Sequence, residues 1–245
     1  MSERTTFLDI GFDRLTEDAL VAQLRARGDN APFAYVVTPN VDHVVRLSAR
    51  PAGAPEHRVY AQAAWCVCDS RILGRLARMR GVDLPVTPGS DLTARIVQDV
   101  LVAGDRVCII GGDAATGQAL AAIRPDIVLF QHVPPMGLAS DPAARAAAAR
   151  FAAETQARFT LIAVGSPQQE LIAQAIAALP GATGIGLCIG ASIDFLTGRT
   201  RRAPRWMQRL SIEWLHRLAS DPARLWRRYL VEGPRVFLLA WRWKK

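Results

Sequence analysis

Long apolar runs are missing from this chain. Near its end the longest, Val236 to Trp241, has six residues, far short of the ~20 that a spanning helix requires. The opening Met-Ser-Glu-Arg-Thr-Thr carries no basic segment leading into an apolar stretch, so no secretory leader is expected. Cysteine is scarce: Cys66, Cys68, Cys108 and Cys188 are all there is. None forms a C-x-x-C pair and no histidine stands at ligand spacing from them, which argues against a disulfide framework and against zinc. Cys66 and Cys68 alternate in an apolar run and would point the same way on a strand, as buried, inert thiols of a reducing compartment. Adding Asp69 to them leaves a metal shell incomplete, and no metal site is expected. No internal repeat is visible, and no G-x-G-x-x-G fingerprint.

Net charge is nearly absent from most of the chain and concentrated at its end. Residues 199–245 hold thirteen basic residues, eleven of them Arg, against Glu213, Asp221 and Glu232, a net of +10. The whole chain is +8, so residues 1–198 come to −2. Five of the six tryptophans (Trp206, Trp214, Trp226, Trp241, Trp243) share that tail. A near-neutral body with a basic aromatic tail suits an anionic surface or ligand, and nucleic acid, anionic lipid and phosphorylated substrates all fit the charge. With 50% hydrophobic and 21% charged residues the chain is globular, not disordered. We divide it into a core, 1–197, and an appendage, 198–245, at the Thr197-Gly198 break.

The apolar pattern predicts a helix within 8–28 around Leu15, Ala19, Leu20 and Leu24. A strand Phe33–Thr38 stopped by Pro39-Asn40 follows, then a helix over 41–50 and a strand near Trp65–Cys68 ending at Asp69. Runs at 106–110, 126–130, 159–164 and 184–189 have the length of buried parallel strands, and Ala143–Ala149 reads as helix. Strands alternating with helices give an α/β class: a Rossmann-like, mostly parallel sheet with helices on both faces and a C-terminal helical appendage. Ligands of such sheets bind beyond the carboxyl ends of the strands. That rim holds Thr38, Asn40, Asp69, Gly111, Gly112 and Gly165–Glu170.

Each candidate has two readings. Gly111-Gly112 before a helix start suits a phosphate or simply a tight turn, and leaves a nicotinamide-dependent oxidoreductase open. Asn40 or Asp42 is either a helix cap or, with Thr38, a reader of sugar hydroxyls. Asp69 is a strand-ending carboxylate or a partly desolvated general base. Gly165 and Pro167 fix a turn whose following Gln168, Gln169 and Glu170 reach a ligand or only favour the helix dipole. In the tail, Pro204 suits a first helical turn. Trp206, Leu210, Trp214 and Leu218 form one stripe of core or docking type. The arginines between are a solvated face or, as Arg suits bidentate phosphate binding, diphosphate contacts.

Taken together, Phe195-Leu-x-Gly, Arg202-Ala-Pro-x-Trp206, Glu213-Trp-Leu-x-Arg-Leu218, Pro222-x-Arg-Leu and Arg228-Tyr229 resemble the WecG/TagA/CpsF family of bacterial glycosyltransferases over about residues 8–235. Thr38-x-Asn40, Asp69, Pro88-Gly-Ser-Asp-Leu92, Gly165-x-Pro-x-Gln-Glu170 and Asp194-Phe195 fall in family order. The resemblance implies an inverting, metal-independent hexosyl transfer from a UDP-sugar to a polyprenyl-diphosphate-linked sugar. It implies a role in teichoic acid linkage, common antigen or exopolysaccharide synthesis, with no cofactor beyond the donor substrate. No D-x-D motif is present, in keeping with that. It puts Asp69 in the place of the base with Thr38, Asn40 and Gln169 around it. Gly111, Gly112, Gly165, Pro167, Glu170 and Asp194 would bind substrate, and Arg202, Arg205, Arg209, Arg217, Arg224 and Arg228 would stabilise the leaving diphosphate.

The expected protein is cytoplasmic, peripheral on the inner membrane through its appendage, without a nucleic-acid partner, and with room for a homo-oligomer. A non-catalytic anion- or nucleic-acid-binding module is the alternative from another class. Two positions depart from the family: Asp69-Ser70 stands where Asp-Gly is usual, and Val86 where an arginine is. If that arginine touches phosphate in relatives, Arg80 or a tail arginine must replace it.

Overall fold

The computed structural model describes residues 3–51 and 53–244, with the side chain of Arg205 outside the described set. Six strands form one parallel sheet: β3 (Ala34–Val37), β4 (Trp65–Cys66), β5 (Arg106–Gly111), β6 (Val128–His132), β7 (Phe159–Ala163) and β8 (Ile185–Cys188), in the order β4-β3-β8-β7-β5-β6. Every neighbouring pair in it is parallel. The predicted strands all form; the run at 126–130 pairs two residues later than its apolar limits suggested.

Alternation along the strands sorts the core in two. Tyr35, Val37, Cys66, Cys68, Cys108, Ile110, Ile162 and Cys188 share one face. Val36, Trp65, Val107, Ile109, Leu161 and Leu187 share the other. The first face is covered by α2 (Val41–Ser48), α3 (Pro55–Gln62), α4 (Arg71–Met79), α7 (Pro142–Thr155) and α8 (Gln168–Ala177). The second is covered by α1 (Glu17–Ala26), α5 (Gly89–Arg95), α6 (Ala114–Ile123) and α9 (Ser192–Leu196). All four cysteines are therefore on one buried face, unbonded. Burial pushes the Cys68 and Cys108 thiols up to about 12, which keeps them protonated and inert.

Residues 8–28 are not one helix. An antiparallel hairpin, β1 (Arg4–Phe7) with β2 (Ile10–Asp13), precedes α1. Buried Asp13 accepts the Cys66 N–H at 2.7 Å and the Arg4 guanidinium at 3.2 Å, so the hairpin covers the outer edge of β4. That satisfies backbone donors a sheet edge would otherwise leave open.

The tail forms α10 (Arg205–Leu210), α11 (Glu213–Ser220), α12 (Pro222–Trp226), a wider-wound turn Arg227–Glu232 and α13 (Arg235–Arg242). The predicted stripe from Trp206 to Leu218 is cut, because Ser211 takes a left-handed φ of 65° and ends α10. Pro204 stands just before that helix, not inside its first turn. Val236 and Ala240 are buried in the same cluster as the hairpin and α4. Arg75 of α4 donates to the Arg209 carbonyl at 3.1 Å.

Candidate active site

Where β4 runs out, the chain stays extended: Val67 N–H reaches the Val37 carbonyl at 3.0 Å and Asp69 N–H the Pro39 carbonyl at 3.2 Å. Cys68 bridges Val86 on its other side. This carries Asp69 past the sheet to the rim, beside the end of β3. Its Oδ1 accepts the Gly89 N–H at 2.6 Å and its Oδ2 the Asn40 side-chain amide at 3.3 Å. A Cβ at Gly89 would stand 3.0 Å from Thr38 Oγ1, so a larger residue here requires the Thr38 hydroxyl to give way. Asn40 serves both of its readings, since its Oδ1 caps α2 through the N–H groups of Asp42 and His43 while its amide turns to Asp69.

Asp69 keeps part of its surface open but is enclosed on most sides. Burial pushes its carboxyl above the ordinary range; the Gly89 and Asn40 hydrogen bonds and Arg217 pull it down, and Glu213 pushes it up again. Desolvation prevails, and that is how a carboxylate becomes a useful base.

Opposite Asp69 stands the tail. The cleft between them has a volume of about 370 Å³ and is lined by Asn40, Asp42, Asp69 and Arg71 from the body, with Arg202, Trp214, Arg217, Arg228, Tyr229 and Phe237 from the tail. Arg202 pairs with Asp91 of α5. Arg217 lies 3.2 Å from Glu213 and over the Phe195 ring at 5.0 Å. Arg228 lies 3.4 Å from Asp42. Planar guanidinium groups facing a carboxylate across an open cleft suit an anion bearing several oxygens. Arg209 and Arg224 are exposed and do not line this cleft; Arg224 pairs with Asp221 at 2.6 Å. Arg205 lies outside the described side chains.

Thr38 is buried behind Asp69, its hydroxyl 3.5 Å from the Cys188 carbonyl. Gln169, also buried, accepts the Gly190 N–H at 2.9 Å past the end of β8 and donates to Glu170 at 2.9 Å. Glu170 has no exposed surface, and burial raises its carboxyl. It faces the Tyr35, Tyr60 and Arg46 side of the core and does not line the cleft. Gly165, at φ 79°, leads into Pro167, which lines a second cavity of about 340 Å³ with His43, Arg46 and Tyr60.

Gly111, Gly112 and Asp194 gather further along the rim. A Cβ on Gly111, whose φ is 103°, would come 2.7 Å from Val164 and 2.9 Å from the Ala163 carbonyl, so strand packing alone explains the glycine. The start of α6 is closed by the Asp113 carboxylate, which caps it with Thr116 and receives Arg199 through two hydrogen bonds of 2.7 Å. Arg199 also lies 3.6 Å from Asp194.

Several contributors act in ways that their place in the sequence, as a cap or within a motif, did not specify. Gly89 works through its backbone, Asp91 and Asp42 through pairs to the tail, and Arg71 through a helix that starts two residues after Asp69. At the two departures, Ser70 caps α4 by accepting the Leu73 N–H at 3.2 Å, and Val86 packs over Gly74. Arg80 does not replace the missing arginine: it donates to the Trp243 carbonyl at 2.6 Å. The cations that face Asp69 are Arg71 and those of the tail. A model of the Glycosyl transferase WecG/TagA/CpsF family matches residues 5–245 of the chain.

Proposed function

The chain belongs to the WecG/TagA/CpsF family of glycosyltransferases, enzymes of cell-surface polysaccharide synthesis, and from its site we propose an inverting, metal-independent transfer from a UDP-sugar to a polyprenyl-diphosphate-linked sugar. One observation carries this reading. A desolvated carboxylate, Asp69, fixed through both oxygens, faces Arg202, Arg217 and Arg228 across a single cleft. Asp69 takes the proton of an acceptor hydroxyl while that oxygen attacks the anomeric carbon on the side opposite the diphosphate. The bond from that carbon to the UDP oxygen breaks, and UDP leaves with the electron pair. The guanidinium groups offset the charge it gains, an electrostatic contribution already oriented before the reaction begins.

The same appendage supports a peripheral place on the cytoplasmic face of a membrane, where such an acceptor is anchored. Trp206, Leu210, Trp226, Leu230, Phe237, Leu238 and Trp241 are exposed among its arginines. Among the described residues no helix is long and apolar enough to cross a bilayer. Large exposed aromatic and aliphatic groups amid Arg are the composition of an interfacial anchor.

The test is UDP release across a panel of UDP-sugars, with a polyprenyl-diphosphate-sugar as acceptor and product stereochemistry read by NMR. Inverted product formed with a chelator present is expected. A retained configuration, or release abolished by the chelator and restored by a divalent cation, overturns the reading.

A further inference from the structure

The two oxygens of Asp69 are each held by a residue two places ahead of an aspartate, and each of those aspartates grips the tail. Asn40 donates to Oδ2, and Asp42, in the first turn of the same helix, lies 3.4 Å from Arg228. Gly89 donates to Oδ1, and Asp91, in the first turn of the same helix, pairs with Arg202. Neither aspartate is needed as a cap: Asn40 already caps α2, and α5 begins at Pro88 without a side-chain cap. Their ion pairs are half-buried, so they are screened less than surface pairs. Asp42 has a second partner, Arg46, at 3.0 Å.

We propose that Asp42 and Asp91 are positioning residues that transmit the seating of the tail to the two hydrogen bonds fixing the Asp69 carboxylate. Arg228 draws on the helix whose first residues include the Asn40 amide, and Arg202 on the helix whose first N–H belongs to Gly89. With both pairs made, the base is set and the cleft is walled in the same event. With either broken, one oxygen of Asp69 loses its fixed donor. The charged and titratable groups around Asp69 are Arg202, Arg217, Arg228 and Glu213 from the tail, and Asp42, Arg71 and Cys68 from the body. Asn40 and Gly89 contribute neutral donors.

The inference deepens the proposed function, and its first readout does not require turnover. In the full chain, the Asp69 carboxyl is titrated by carbon-13 NMR for the wild type, Asp42→Asn and Asp91→Asn. Removing a nearby negative charge would by itself make Asp69 more acidic. Loosening a hydrogen bond to its charged form does the opposite. We expect the titration to move to higher pH in both variants; no movement or a fall in either one overturns the proposal.

The second readout is turnover. Misplacement of a base at this scale costs about 10-fold or more in kcat, with KM for the donor little changed. Should Asp91→Asn not fold, the exchanged pair Asp91→Arg with Arg202→Asp is compared with Arg202→Asp alone. Recovery of the wild-type titration is expected, with kcat still low because Arg202 also faces the diphosphate; a double variant whose titration is no nearer the wild type than that of the single one overturns the proposal. If the wild type releases no UDP from any UDP-sugar, the function falls while the titration still decides the relay.

Discussion

Trp243 meets Phe7 edge-on, ring centroids 5.1 Å apart and planes at 76°. The contact joins the last helix of the tail to the hairpin that opens the fold, and the Trp243 carbonyl is held in turn by Arg80 of the body. Phe7 has no exposed surface, so the tail closes over a core residue, not over a polar shell.

That pairing predicts a measurable coupling. Aromatic pairs of this geometry contribute about 1 kcal/mol beyond the area they bury. A double-mutant cycle of Phe7→Ala and Trp243→Ala, followed by urea unfolding, is expected to show an interaction energy of about that size. Strict additivity of the two losses would show that the rings sit together without stabilising each other.

Asp69→Asn is expected to abolish turnover while leaving UDP affinity within about 2-fold, because general-base removal costs about 100-fold or more without touching diphosphate contacts. Calorimetry gives the second number. In the wild type, kcat/KM should fall as the pH drops through the Asp69 titration, which burial has placed above the ordinary carboxylate range. The active form is the ionised one, so the loss is on the acid side. Near-full activity in Asp69→Asn would sink the assignment of the base.

Glu170 offers a prediction about stability. Burial raises its folded-state titration above its unfolded one, so the folded protein binds a proton that the unfolded chain has released. Its contribution is whole below the unfolded value and is lost as pH rises through the folded one. Its Oε1 accepts from Gln169 at 2.9 Å and Ser166 stands beside the carboxyl, and an amide can supply the same Oε1 acceptor without a charge. Glu170→Gln should therefore match the wild type below the unfolded value and gain on it as pH rises through the folded one, levelling off above it. A constant difference across that range would show that Glu170 folds charged.

Attachment and catalysis should separate within the appendage. Trp226→Ala with Trp241→Ala removes two exposed rings outside the cleft. It is expected to weaken sedimentation with anionic vesicles while leaving turnover on a short-chain soluble acceptor unchanged. Arg217→Ala should do the reverse. Vesicle binding unaffected by loss of both tryptophans would place the membrane contact elsewhere.

The parallel sheet was legible because its strands are unbroken apolar runs, each closed by a loop and followed by a helix. The hairpin was not, since Leu8, Ile10 and Phe12 alternate in the same window where Leu15, Leu20 and Leu24 keep helical spacing. Its turn uses Leu8 and Asp9 at φ of 50° and 62°, with no glycine to announce it. Asp69 could be singled out because it ends a strand at the binding rim, and Asn40 was placed beside it, but the second donor, the backbone N–H of Gly89, could not be. In the tail, charge was legible and direction was not. Breaks at Ser211 and Asp221 set each helix at its own angle; Arg217 and Arg228 line the cleft, as does Arg202 from the segment before α10, and Arg209 and Arg224 stay outside.

The wall opposite Asp69 is built from residues between Arg202 and Phe237. A ribosome that has finished the sheet has therefore made the base but not the cleft. On the proposed function, such a nascent chain holds Arg71 beside Asp69 but lacks the tail guanidinium groups that offset the charge of a departing diphosphate. The carboxylate and the wall it faces thus come from separate stretches of the chain, the wall from the stretch that follows the last strand.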